Sequence, residues 1–208
     1  MRSADWGATI GWIAVVVGVL GTGAQWRRLR REGLEGVSVA TWSLFVYLGA
    51  YWIAYGIAER SWTITMGSLL MFPLQVGVLR GLKPWRAPRA SWSALSFFVV
   101  SCLVPAALWG WSGGIYGTTI TMTVTRLPQL VELVRRAGAA GVSTGMWLLG
   151  AIGSGLWVVY YAQASRWAAF TATLVSGAVS AVIAALALWR HRTSDPARDV
   201  LSAVVPVS

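Results

Sequence analysis

The sequence predicts an all-α integral membrane protein of seven transmembrane helices, built as two parallel three-helix repeats joined by a linker helix. Three observations carry this expectation. Of the 208 residues, 56% are hydrophobic and only 12% are charged; a soluble chain of this size would lack the polar residues to cover so much apolar surface. Seven apolar stretches each approach the ~20 residues that a bilayer crossing needs. A pattern of Trp, Tyr and Gly-Val-Ser positions also recurs 105 residues further along the chain.

The stretches follow in order. The first covers 7–25. Arg2 before it raises the question of a cleaved signal peptide, but Asp5 weakens the basic segment, and Arg27, Arg28, Arg30 and Arg31 follow the run directly. The expectation is a retained first span. The others cover 39–58, 62–79, 92–108, 113–133, 142–162 and 167–189. All should be helical, because lipid offers nothing to an open backbone group, and the short loops make neighbours antiparallel. Arg80, Lys83, Arg86 and Arg89 follow the third stretch, Arg135 and Arg136 the fifth, and Arg190, Arg192 and Arg198 the seventh, whereas the other side holds only Arg2, Arg60 and Arg166. The bias places the N-terminus outside and the C-terminus in the cytosol of a plasma-membrane protein. Tryptophans near the span ends, among them Trp6, Trp62, Trp92 and Trp189, suit an interfacial belt.

Composition also removes several functions. Cys102 is the only cysteine and His191 the only histidine, so neither a disulfide nor a zinc cluster is expected. No nucleophile, base or metal cluster converges, which speaks against an enzyme. The single lysine, Lys83, sits in a loop and leaves no buried amine for a retinal Schiff base. The net charge of +10 lies in loops where it sets orientation, so no nucleic-acid partner is expected. No cofactor is implied.

The repeat can be traced residue by residue. Gly36-Val37-Ser38 returns as Gly141-Val142-Ser143, and Trp42, Trp52, Tyr55 and Trp62 return as Trp147, Trp157, Tyr160 and Trp167. A one-residue gap upstream brings Gln25 onto Gln129. Three helices are an odd number, so a fourth must lie between the units to restore a parallel sense. This divides the chain into a first repeat over 1–80, a linker with the fourth helix over 81–111, a second repeat over 112–190 and a cytosolic tail over 191–208.

With Leu127-Pro128-Gln129 before a basic loop, Gly141-Val142-Ser143 after it, and Trp157-x-x-Tyr160 matched by Trp52-x-x-Tyr55, the chain resembles the PQ-loop superfamily, which includes the SWEET and SemiSWEET sugar transporters. The first repeat has Ala24-Gln25 where the motif would have Pro-Gln. The resemblance implies a carrier whose repeats rock about a central site, and facilitated diffusion of a sugar or sugar-like solute. It implies that Trp52 and Trp157 stack on the solute, with Tyr55 and Tyr160 beside them. An Asn that hydrogen-bonds sugar in the family is replaced by Ser68 and Thr173, whose hydroxyls make fewer bonds than a carboxamide.

The residues themselves leave alternatives open. Pro128 removes a helix hydrogen bond and suits either a hinge or a static kink. Gln25 and Gln129 should face the bundle, as solute ligands or as cross-helix bonds. Tyr47, Tyr51 and Tyr55, with Ser43, share one face of the second helix, which fits a solute wall or ordinary packing. Thr118, Thr121 and Thr125 form a stripe whose hydroxyls can bond back to their own helix. Arg126, inside a span, can attract an anionic group, gate the cytosolic mouth or snorkel. No Asp, Glu or His falls in the middle of a span, which favours downhill transport over proton symport. A carrier for a vitamin, nucleoside or amino acid, and a non-transporting receptor or regulator, stay open. The glycine content allows close helix approach, including in a homo-oligomer.

Overall fold

The computed structural model describes residues 3–32, 38–135 and 144–193. All the regular structure among them is helical. The helices are α1 (Ser3–Glu32), α2 (Val39–Ala58), α3 (Trp62–Gly81), α4 (Pro88–Phe98), α5 (Val104–Arg135), α6 (Thr144–Gln163) and α7 (Trp167–Thr193). A 3-10 turn, Pro84–Arg86, precedes α4, and a π-helical turn, Val99–Leu103, joins α4 to α5. Among the described residues five stretches are long and apolar enough to cross a membrane: Trp6–Ala24, Trp62–Gly81, Pro88–Leu127, Thr144–Gln163 and Trp167–Trp189. Large apolar side chains such as Val16, Leu20, Ile120 and Leu174 are exposed midway along them, as lipid-facing positions would be.

Caps set the helix limits. The Ser38 hydroxyl accepts from the Thr41 amide at 3.4 Å and starts α2; Ser61 does the same for α3 through the Ile64 amide at 3.5 Å. The α2–α3 turn needs a left-handed residue, Arg60 at φ 52°, and closes with the Ser61 amide donating to the Gly56 carbonyl at 2.8 Å. The α6–α7 turn repeats this 105 positions on. Ser165 has φ 54°, and the Arg166 amide donates to the Tyr161 carbonyl at 2.9 Å. A six-to-one bond of this kind satisfies carbonyls that a helix C-terminus would otherwise leave open. A left-handed non-glycine residue costs about 1–2 kcal/mol, and both turns carry one at the same place.

The sequence reading ends the fourth stretch at 108 and starts the fifth at 113. The structure instead continues as helix on both sides of a two-residue break, Trp109 (φ −126°) and Gly110 (φ 69°). Glycine tolerates that positive φ. Pro88–Leu127 therefore folds back on itself, and its arms meet where the Ser101 and Thr121 hydroxyls lie 2.7 Å apart and Cys102 Sγ lies 3.3 Å from Thr121 Oγ1. Gly117 makes this approach possible, since a Cβ there would collide with the Ser101 carbonyl oxygen. The helical assignment of α1 and α7 runs beyond the expected spans, to Glu32 and Thr193; neither contains a proline that would stop it there. The helix also continues through position 128 of α5.

Packing orders the helices in two groups. α3 lies between α1 and α2, and α7 lies between α5 and α6. α1 meets α6, while α2 packs against α4 and, less extensively, against α5. The main core joins Leu44, Leu48, Tyr51 and Tyr55 of α2 to Phe98, Cys102 and Ile115.

Candidate functional site

A cavity of about 220 Å³ lies where α2, α3, α5, α6 and α7 converge. Trp52, Ser68, Trp157 and Thr173, four of the residues singled out in the sequence, all line it. Their partners do so as well, in register: Gly49 with Ser154 and Met71 with Ser176, each pair again 105 apart. A second cavity of about 240 Å³ shares Phe45, Met71, Gln75, Arg126, Ser154 and Trp157 with the first. It lengthens the site along α1 and α6 towards Gly18, Thr22, Trp42 and Met146.

The aromatic wall has a repeated geometry. Trp52 meets Tyr55 edge to face at 5.5 Å, and Trp157 meets Tyr160 edge to face at 5.4 Å. Tyr161 fills the space between the two tryptophans, nearly parallel to Trp52 at 6.1 Å and to Trp157 at 5.4 Å. Offset stacking of this kind is the favoured arrangement of aromatic quadrupoles. The site is therefore a shelf of three rings, with the hydroxyls of Ser68, Thr173, Ser154 and Ser176 around it.

Tyr55 and Tyr160, expected beside the solute, line neither of these two cavities; Tyr160 instead borders a separate cavity beside Trp6, Thr63 and Gln163. Both tyrosines stand one turn further on and close that end. Tyr160 shares a 2.9 Å hydrogen bond with Ser61. Arg166 donates to the Glu59 carboxylate at 2.9 Å and to the Glu59 carbonyl at 3.1 Å, and its guanidinium lies 5.9 Å from the centre of the Tyr55 ring. These contacts tie the end of α2 to the start of α7. The ion pair is partly exposed, so it contributes about 1 kcal/mol or less.

Two stripes take their packing readings. Tyr47 and Tyr51 turn towards Phe98, and the Tyr51 hydroxyl donates to the Trp111 carbonyl at 3.2 Å. A four-residue spacing defines a shared face but not which neighbour covers it. Thr118, Thr121 and Thr125 return hydrogen bonds to Ile115, Gly117 and Met122 of their own helix. The side chains of Gln25, Pro128 and Gln129 lie outside the described residues.

Arg126 lines both cavities. Its Nη1 donates to the Met122 carbonyl at 2.8 Å. Three buried polar atoms of lining residues have no hydrogen-bond partner among the described residues: Trp52 Nε1, Gln75 Oε1 and Arg126 Nε. Such groups cost free energy until a ligand or water satisfies them. No cluster of metal-binding side chains is present among the described residues.

Gln75 and Tyr161 had not been singled out. Gln75 is out of register with the Pro-Gln motif, and Tyr161 stands beside the tyrosine that the repeat marks. The 105-residue offset itself does find Gly49–Ser154 and Met71–Ser176. Comparison with known protein families, with curated proteins and with solved structures finds no match for this chain.

Proposed function

We propose that this chain is an integral membrane carrier for a small polar solute, a SWEET-like member of the PQ-loop superfamily working by facilitated diffusion. On this reading α1–α3 and α5–α7 are two parallel three-helix repeats, α4 is the linker, and seven spans place the N-terminus outside and the C-terminus in the cytosol of the plasma membrane. The observation that carries the reading is the central cavity, lined in register by both halves: Trp52 with Trp157, and Ser68 with Thr173. The matching turns after α2 and α6, and the matching Trp–Tyr pairs, support the same duplication.

The cavity ends at the Tyr55–Tyr160 layer and lengthens towards the arginine-rich end. This corresponds to an inward-facing state sealed on the outer side. Opening the outer side requires separating Glu59 from Arg166 and Ser61 from Tyr160, contacts of modest strength. A weak seal suits a carrier, since two states a few kcal/mol apart are both populated.

The purified full chain in proteoliposomes, offered labelled sugars, amino acids, vitamins and small carboxylates, tests the proposal. At least one of these solutes should enter saturably and exchange against itself. Uptake should be unaffected by an imposed pH gradient, because no Asp, Glu or His among the described residues lines either cavity. Saturable binding with no flux of any panel member would replace the carrier by a receptor.

A further inference from the structure

Among the described residues Arg126 is the only charged side chain lining either cavity. Of the seven acidic residues in the chain, Glu59 is held by Arg166. Glu132 stands six positions further along α5, roughly 9 Å up the axis. Asp5 and Glu32 stand in the first and last turns of α1, and Glu35, Asp195 and Asp199 fall outside the described residues. Among the described residues Arg126 has no carboxylate partner, and its Nε is buried with no acceptor. A cation in that position is costly unless something neutralises it.

In the other half of the molecule the corresponding position carries no charge. With the one-residue gap, Arg126 corresponds to Thr22, and Met122 to Gly18. Thr22 Oγ1 donates to the Gly18 carbonyl at 2.9 Å, just as Arg126 Nη1 donates to the Met122 carbonyl at 2.8 Å. Both positions line the second cavity or its neighbour. A threonine makes the same local bond without bringing a charge.

The geometry points to a solute that carries a single negative charge, a small hydroxycarboxylate whose carboxylate pairs with Arg126; this rests on the carrier reading above. The two unpaired donors, Arg126 Nε and Trp52 Nε1, match an acceptor-only group such as an ionised carboxylate. The unpaired acceptor, Gln75 Oε1, matches a hydroxyl. One guanidinium balances one charge, so a phosphate dianion would stay half-compensated. A volume of about 220 Å³ holds about seven waters at ~30 Å³ each, room for a solute of monosaccharide size or smaller.

The test uses matched probes, lactate against glycerol and gluconate against glucose, in proteoliposomes of the full chain. The wild type should take up the better acid at least tenfold faster than its neutral match. Arg126→Gln should lose that preference, Arg126→Lys should keep part of it, and both should remain monodisperse. Should Arg126→Gln fail to fold, the wild type alone decides, because uniport of a monoanion moves charge. An inside-positive potential of ~60 mV should then raise accumulation about tenfold. Uptake of neutral panel solutes, with both acids excluded and no response to potential, overturns the inference and leaves the carrier standing. Absence of flux for every solute overturns both.

Discussion

Trp52→Ala and Trp157→Ala should each lower solute exchange by about 30- to 100-fold while leaving the protein folded. Each indole forms one side of the ring shelf, parallel to Tyr161 at 6.1 Å and 5.4 Å. Truncating a fully packed Trp costs about 3–5 kcal/mol. Both rings border a cavity and are half-buried, so about 2–3 kcal/mol is the appropriate scale, and each 1.4 kcal/mol is tenfold. The loss should appear chiefly in apparent affinity, since the helices retain their other contacts. Trp→Phe at either position should recover most of it, because a flat face remains. Exchange kinetics on detergent-monodisperse protein check this, and unchanged kinetics in both alanine variants would remove the shelf from the solute path.

Gly117→Ala should be the most damaging single-methyl change in the described helices. A Cβ at that position would overlap the Ser101 carbonyl oxygen and sit 2.9 Å from Cys102 Cα. These are backbone atoms of the facing arm, so no side chain can rotate away. The arms must separate, which breaks the Ser101–Thr121 contact at 2.7 Å. Overpacking of this kind costs about 1–3 kcal/mol or more. At the upper end the melting temperature falls by roughly 6–12 °C for a chain of this length. Gly155→Ala is the control: nothing lies within 4 Å of its Cβ position, and Ala is the better helix former by about 1 kcal/mol. Thermal unfolding of both variants in one detergent should separate them in opposite directions.

Much of the local structure was legible because its causes are local. α2 forms over Val39–Ala58 because Ser38 caps its start and a left-handed Arg60 turn ends it. The boundary between the fourth and fifth stretches was less legible. An apolar run through Trp109 and Gly110 carries no polar loop signal, and only the glycine marks the reversal. Within the site, duplication was the strongest guide. It led to Trp52, Trp157, Ser68 and Thr173, which share one cavity.

Where a single helix had to be read alone, spacing gave a face without its neighbour. The tyrosine stripe of α2 went to Phe98 and Trp111 for that reason. Tyr160 and Tyr161 are separated by about 100° round α6, enough to send one to the closing layer and the other to the shelf. Gln75 is invisible to the Pro-Gln motif, because its place in the site is set by its depth along α3 and not by motif register. Arg126 drew attention as a charge in a span, but its meaning depends on Thr22 across the bundle, a comparison that needs both helices in place.

Two-sided access to the cavity is the central requirement of the account, and thiol labelling tests it most directly. Cys102 is the only cysteine and is fully buried, so Cys102→Ser gives a silent background. In that background Ser68→Cys should react with a membrane-impermeant thiol reagent added from either face of the bilayer, more slowly when a transported solute is present. Thr173→Cys should behave alike. Labelling of both variants from one face only, under every condition, would contradict a cavity that opens alternately to the two sides.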